Sequence, residues 1–498
     1  MKKNLLQTGL LFLVAILFVT FYSFSTSPLY VNEGYDSGVF KSMGFAITQG
    51  KIPYVDFFDH KGPVLYFINA LGQWLIPGRL GIFFLQIIAT SISFIFLFKT
   101  ARLFLNGVAS ICVMAVTLYL LGGLYQEGNQ CEEWILAIVS PCVYFLLSDI
   151  VRGELKHTSP LYGFLYGVCF GLAFFVRPND ALAILGGILL GAIGYAWFVM
   201  KETKLRILYD VLAFMGGFVV VCIPIYVYFS YHHAFDDFIY GLFIHNSLYS
   251  NGIMGVFISY RKVAYLLLWL VVGYMIWYTR YKEILFVIIP VCVFQFLMMG
   301  TRILAHYMID YIFLFLLMGA FLIKRADVRS LLLYGVILYG IMLVGRVNVF
   351  RKAEDAILER VKMIYTHDAD NRAFYAESDK LLNLVPADKV DSIWNYNVTW
   401  SNVNYPYSSI FLHQGIIQCN RVPHYPMYYV SEKLKNEDDI KKYAPPYVVL
   451  THSNDIDTIN QPSWASFNID YKYIDKNYDL LAETDHNICD IELYKRKN

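Results

Sequence analysis

Apolar runs of seventeen residues or more recur eleven times before residue 347, and that recurrence restricts the chain to one environment. They lie at 5–24, 80–98, 105–122, 133–149, 160–176, 181–200, 208–231, 262–279, 284–300, 303–323 and 330–346. Crossing about 30 Å of hydrocarbon takes roughly 20 apolar residues in a helix. A helix also pairs its own backbone polar groups, which lipid cannot do. The chain is 57% hydrophobic and only 16% charged, where a soluble domain carries about 25% charged residues. From Arg351 onward Lys, Asp, Asn and Glu mix among Tyr and Pro. The expected organisation is a membrane domain over 1–346 followed by a soluble domain over 347–498.

Charge sets the expected sidedness. With eleven spans and an inner N-terminus, the cytoplasmic loops hold Lys2/Lys3, Lys99/Arg102, Arg152/Lys156, Lys201/Lys204/Arg206, Arg280/Lys282 and Lys324/Arg325/Arg329. Every one of these loops is basic, which is the positive-inside pattern of a cytoplasmic (inner) membrane protein. The same register puts residues 25–79, 123–132, 177–180, 232–261 and everything after 346 outside. Residues 64–76 are apolar but short, and they predict a helix lying in the interface rather than a crossing. The first run exceeds the apolar core of a signal peptide and lacks a clean cleavage site, which favours a retained span.

The net charge of +1 and the lack of a basic run give no reason to expect nucleic acid. No CxxC or Cys/His metal spacing occurs. Cys419 and Cys489 of the outer tail pair in an oxidising compartment or remain two buried thiols; the sequence leaves both open.

The first outer loop, 25–79, is where polar groups concentrate. Glu33 and Asp36 come early, and a short amphipathic helix is expected over Phe40–Ile47, ended by Gly50. Asp56, Asp59, His60 and Lys61 follow, just before Gly62-Pro63. A carboxylate partly withdrawn from water becomes a stronger base, and a nearby lysine suits an anionic phosphate. A solvated loop with ordinary interfacial charges would look the same on spacing alone.

The order of these features resembles the GT-C superfamily of membrane glycosyltransferases. It is most similar to the group holding protein O-mannosyltransferases, the aminoarabinose transferase of lipid A and rhizobial galacturonosyltransferase-like proteins. That group reads Asp-Glu-x-x-Tyr, then Gly-Asp-x-x-x-Pro, then Glu-Lys-Pro-Pro-Leu-x-Tyr-Trp. Here stand Asp36-Ser37-Gly38-Val39-Phe40, Gly50-Lys51-Ile52-Pro53 and His60-Lys61-Gly62-Pro63-Val64-Leu65-Tyr66-Phe67. The resemblance implies Asp36 as the catalytic aspartate and Lys61 as the phosphate-contacting lysine. Ser37 and His60 replace two family glutamates, which weakens the transfer of metal or substrate ligands at those positions but not the overall resemblance.

The resemblance covers the whole membrane domain. It points to Glu132 or Glu133 as a second acidic site at the head of the fourth span, although glutamates there also complement a helix dipole. Arg177 stands at the family's Arg-Pro step, where it contacts a lipid phosphate or snorkels to headgroups. Arg302 and His306 lie one helical turn apart at the outer end of the tenth span and suit a polyprenyl phosphate head.

The implied fold is a polytopic α-helical membrane protein of about eleven spans, with a C-terminal extracytoplasmic α/β or α+β domain. The implied enzyme transfers a sugar from a polyprenyl-phosphate donor to a glycan, lipid or protein acceptor at the outer face. Inversion would be expected, with Asp36 as base. Lys61, Arg177, Arg302 and His306 would steady the leaving phosphate. No cofactor is required by these residues; His60 with Asp59 or Glu33 could bind a divalent metal, but the spacing does not indicate one. The alternative is a transporter, flippase or polymerase-like protein of lipid-linked glycans. The tail is expected to hold strands at Val390–Trp394, Tyr447–Thr451 and Cys489–Lys495, and helices at Glu354–Met363 and Glu377–Leu384. Its aromatic segment Trp394–Tyr429 serves either as core or as a sugar-stacking surface.

Overall fold

Most of what the structure describes of the apolar runs is helical. The structure, a computed structural model, describes residues 2–156, 159–248, 260–298, 305–324, 349–397, 411–421, 434, 439–453, 471–484 and 489–497. In chain order the helices are α1 (Lys2–Tyr22), α2 (Asp36–Thr48), α3 (Pro63–Leu75), α4 (Arg79–Phe104), α5 (Gly107–Leu124) and α6 (Cys131–Arg152). Then come α7 (Pro160–Phe174), α8 (Pro178–Val199) and α9 (Lys204–Tyr231). After them follow α10 (Tyr260–Trp277), α11 (Leu285–Met298), α12 (Ile312–Lys324), α13 (Val349–Tyr365) and α14 (Ala369–Leu382).

Among the described residues α1, α4, α5, α6, α8 and α9 are long and apolar enough to cross a membrane. Their outward side chains include Leu6, Leu10, Ile88, Leu212 and Ile223. That surface is costly in water and matched to lipid. The chain is a multi-pass membrane protein. Four shorter helices, α7, α10, α11 and α12, fall on four more of the expected spans. The eleventh, 330–346, lies outside the described residues.

The chain divides into two units that are interleaved in sequence. The first comprises Met1–Ser23, Phe84–Tyr228 and Met254–Val361; the second comprises Phe24–Phe83, Phe229–Ile253 and Lys362–Asn498. Within the first, α7 and α9 approach closely through glycine. A Cβ on Gly167 would stand 1.9 Å from the Phe214 carbonyl oxygen, and one on Gly217 would stand 2.0 Å from that of Phe164. Small residues let helix backbones meet where no hydrophobic force drives them together.

The second unit begins with the α2–α3 pair. Gly50, at φ 79°, follows the end of α2, a left-handed stop that glycine adopts freely. Pro63 opens α3, where its missing N–H costs nothing. At thirteen residues, α3 is about 20 Å long, too short to cross, and it exposes Leu71, Trp74 and Leu75. The two helices pack with Gly44 against the Asn69 backbone, 2.6 Å from where a Cβ would sit.

The same unit contains a four-stranded sheet of β1 (Ile393–Asn397), β2 (Tyr447–Ser453), β3 (Tyr478–Thr484) and β4 (Cys489–Arg496), in the order β1-β2-β4-β3. β1 and β2 are parallel; the other pairs are antiparallel. Side-chain alternation sends Ile393, Val449, Ile491 and Leu493 to one core with Phe374, Tyr375 and Leu381. Trp394, Val448 and Leu450 go to the other face with Ile440 and Ile474. β2 is therefore buried on both faces, as its unbroken apolar run requires. Trp394 is core rather than a sugar platform. Trp400, Tyr405, Tyr407 and Tyr425 lie outside the described residues. The Cys419 side chain is exposed, and the Cys489 side chain lies outside what is described.

Candidate functional site

Asp36 is the first residue of α2, well beyond the end of α1 at Tyr22. The helix therefore extends further toward its N-terminus than Phe40–Ile47. A carboxylate in the first turn faces unpaired N–H groups and the positive end of the helix dipole, which favours it there. Asp36 is half-buried. It is also one of the charges acting on His60.

His60 and Lys61 form a chain of polar contacts just before α3. The Lys61 ammonium lies 3.1 Å from His60 Nε2 and 5.7 Å from the centre of the Phe40 ring. An ammonium has no lone pair, so Nε2 accepts and the imidazole proton sits on Nδ1. That nitrogen is 3.2 Å from Asp59 Oδ1, and the Tyr66 hydroxyl donates to Asp59 Oδ2 at 3.0 Å. Burial, then the neighbouring Lys61 charge, push the His60 pKa down, while Asp59 and Asp36 oppose the shift. A neutral His60 lets Lys61 keep its whole charge while holding its direction. Asn246 Nδ2 donates to the His60 carbonyl at 2.8 Å. The pKa of His245, packed beside His60 and Phe58, is held at about 3, chiefly by burial.

Glu33 is engaged differently. It pairs with Lys41 and, at 2.7 Å, with Arg79 Nη2. Burial raises its carboxyl pKa, but Arg79 and then Lys41 outweigh burial and hold it at about 2. Arg79 also donates to the carbonyls of Ser27, Tyr30, Val31 and Asn32. Across the same stretch Asp368 Oδ2 accepts from Val31 N at 2.7 Å, and the Tyr375 hydroxyl accepts from Glu33 N at 3.3 Å. Glu33 thus fastens the loop that leads into α2.

In the first unit the structure separates Glu132 from Glu133. Glu133 accepts from the backbone N–H of Asn129 at 3.1 Å and of Gln130 at 3.2 Å, and Gln86 donates to it. This is a capping box at the start of α6. Glu132, almost fully buried, instead pairs with Arg177. Arg177 also meets Asp180 at 3.1 Å, and its guanidinium lies 4.1 Å from the centre of the Tyr307 ring. His306 Nε2 is 4.0 Å from Glu132, and its Nδ1 is 2.6 Å from Gln126 Oε1.

Glu132, Arg177 and His306 are thus gathered into one cluster. Arg302 lies outside the described residues. Two members escaped the sequence reading: Asp180, and Asp310, which is fully buried with Asp180, Glu132 and Arg177 among the charges acting on it. The signals were present, since Asp180 is three residues beyond Arg177 on a helix start. Asp310 is an ionisable residue inside an apolar run. Among the described residues no group of three or more His, Cys, Asp or Glu side chains could hold a metal ion.

No protein-family model and no curated protein sequence matches the chain. Solved structures do. The crystal structure of ArnT from Cupriavidus metallidurans bound to undecaprenyl phosphate aligns over 97% of both chains at 12% identity, with a TM-score of 0.52. The apo form of that protein aligns equally fully at 14% identity and a TM-score of 0.52. Arabinosyltransferase EmbB from Mycobacterium smegmatis aligns over 74% of this chain and 42% of its own, at 12% identity and a TM-score of 0.45. Sequence identity this low speaks to fold. The chain has the GT-C fold, with a small C-terminal sheet, as the ArnT alignments run end to end.

Proposed function

We propose that this chain is a membrane glycosyltransferase that moves a sugar from a polyprenyl-phosphate carrier to an acceptor at the outer face of the cytoplasmic membrane. The observation that carries this reading is the ArnT-like fold along 97% of the chain, with Asp36 and Lys61 at the family's motif positions within one loop. The basic loops support an inner N-terminus and an outer C-terminal domain.

In this mechanism Asp36 takes the proton from an acceptor hydroxyl or amine. The freed lone pair forms the bond to the anomeric carbon from the face opposite the phosphate. The carbon–oxygen bond to the carrier breaks, its electron pair leaves on the phosphate, and the sugar is inverted. Lys61, aimed by neutral His60, neutralises the phosphate charge as it develops. Arg177 already faces Glu132 and Asp180, so its share is smaller. A glycan, a lipid or a protein fits the acceptor role equally.

The test supplies membranes carrying wild type or Asp36→Asn with polyprenyl-phosphate sugars. Loss of a general base costs about 10²–10⁴-fold in rate, and that loss is expected with donor binding retained. An unchanged rate would falsify the assignment of the base. Passage of lipid-linked sugar across the bilayer with no glycosidic product would identify a transporter instead.

A further inference from the structure

In the second unit, one residue of the C-terminal stretch grips the loop that carries Lys61. The Nε of Arg421 donates to the Tyr54 carbonyl at 2.8 Å, and its Nη2 donates to the same oxygen. That Nη2 also meets Asp237 Oδ1 at 2.9 Å. The Arg421 carbonyl accepts from Phe58 N at 2.7 Å, and its guanidinium lies 5.5 Å from the centre of the Phe58 ring. Arg421 therefore holds both ends of the Tyr54–Phe58 turn, and it does so with backbone and side chain together.

What it holds is an unusual conformation. Tyr54 has φ 68°, a left-handed backbone that a bulky residue keeps only when its surroundings enforce it. Its ring is fully buried among Phe58, Tyr66, Phe229 and Phe238. Its hydroxyl donates to the Lys61 carbonyl at 2.6 Å. A continuous set of contacts thus runs from Arg421, through the Tyr54 backbone and side chain, to the backbone of Lys61.

We propose that Arg421 is a positioning residue for Lys61, through which the C-terminal segment sets where the lysine ammonium meets the donor phosphate. This rests on the reading of Lys61 as a phosphate ligand. The role needs the guanidinium fork, because two N–H groups converge on one carbonyl while a third bond reaches Asp237. Lysine keeps the charge but cannot reproduce that pattern.

The test titrates undecaprenyl phosphate into the full-length protein in nanodiscs of phosphatidylethanolamine and phosphatidylglycerol. The variants are Lys61→Met, Arg421→Ala, Arg421→Lys, Tyr54→Phe and each of the last three combined with Lys61→Met. Arg421→Ala and Tyr54→Phe are each expected to weaken binding on the order of tenfold alone and to add nothing to Lys61→Met, as coupled neighbours do. Arg421→Lys should not restore wild-type affinity.

A merely structural role would weaken binding by the same factor with or without Lys61, and that result overturns the proposal. So does wild-type affinity in both Arg421→Ala and Tyr54→Phe. Should Arg421→Ala fail to fold, Tyr54→Phe, which leaves every Arg421 contact intact, decides alone. Wild-type affinity in Lys61→Met would instead remove the phosphate reading itself, and the Arg421 proposal with it.

Discussion

Arg177 and Lys61 are both basic residues placed just before a Pro-led helix, and their surroundings differ in kind. Arg177 faces two carboxylates and an aromatic ring. Lys61 leans on a neutral imidazole and an aromatic ring. The first charge is balanced by carboxylates within the protein; the second is, on the proposed function, the one that meets the donor phosphate. The family resemblance offers a phosphate-binding role to both residues, and the contacts described for each are what tell them apart.

Substituting the two residues should therefore produce different losses. Arg177→Met leaves Glu132 and Asp180 buried beside Asp310 with their cation gone, a class of change that costs about 3–5 kcal/mol. The unfolding temperature in detergent should fall sharply. Were Arg177 a free phosphate ligand, donor affinity would drop and the unfolding temperature would hold. Lys61→Met should show that second pattern. Loss of one charge-assisted contact to the phosphate, about 1.5–3 kcal/mol, weakens donor binding roughly ten- to hundredfold with little change in unfolding.

The smallest effect concerns Glu33, a third ionic contact, whose folded pKa of about 2 lies below its ordinary 4.5. A carboxylate depressed in this way stabilises the fold above its unfolded pKa, and that stability drains as pH falls toward the folded value. Thermal unfolding followed from neutral pH down through that window should show the decline in wild type and less of it in Glu33→Gln. An identical decline in both would mean that the Arg79 and Lys41 pairs contribute nothing to stability.

The membrane helices were legible because length and hydropathy determine them almost alone. α3 was legible for the same reason, being too short to cross. Other features depended on contacts between residues far apart in the chain. The adjacent Glu132 and Glu133 differ only by about 100° around a helix, yet one pairs with Arg177 and the other caps α6. β3 was missed because its burial does not alternate cleanly, so it carries no period-two signal. Nothing in the tail's composition marks Arg421, whose partners Tyr54 and Asp237 lie far from it in the chain.

Gly44 gives the α2–α3 pair one more property. Its missing side chain lets α2 rest directly on the Asn69 backbone of α3. α2 begins with Asp36, and α3 begins two residues after Lys61. On the proposed chemistry, the thickness of a single hydrogen atom gauges the gap between proton acceptor and phosphate partner. A methyl group at residue 44 would widen that gap, and the proposed transfer would slow with Asp36 and Lys61 still in place.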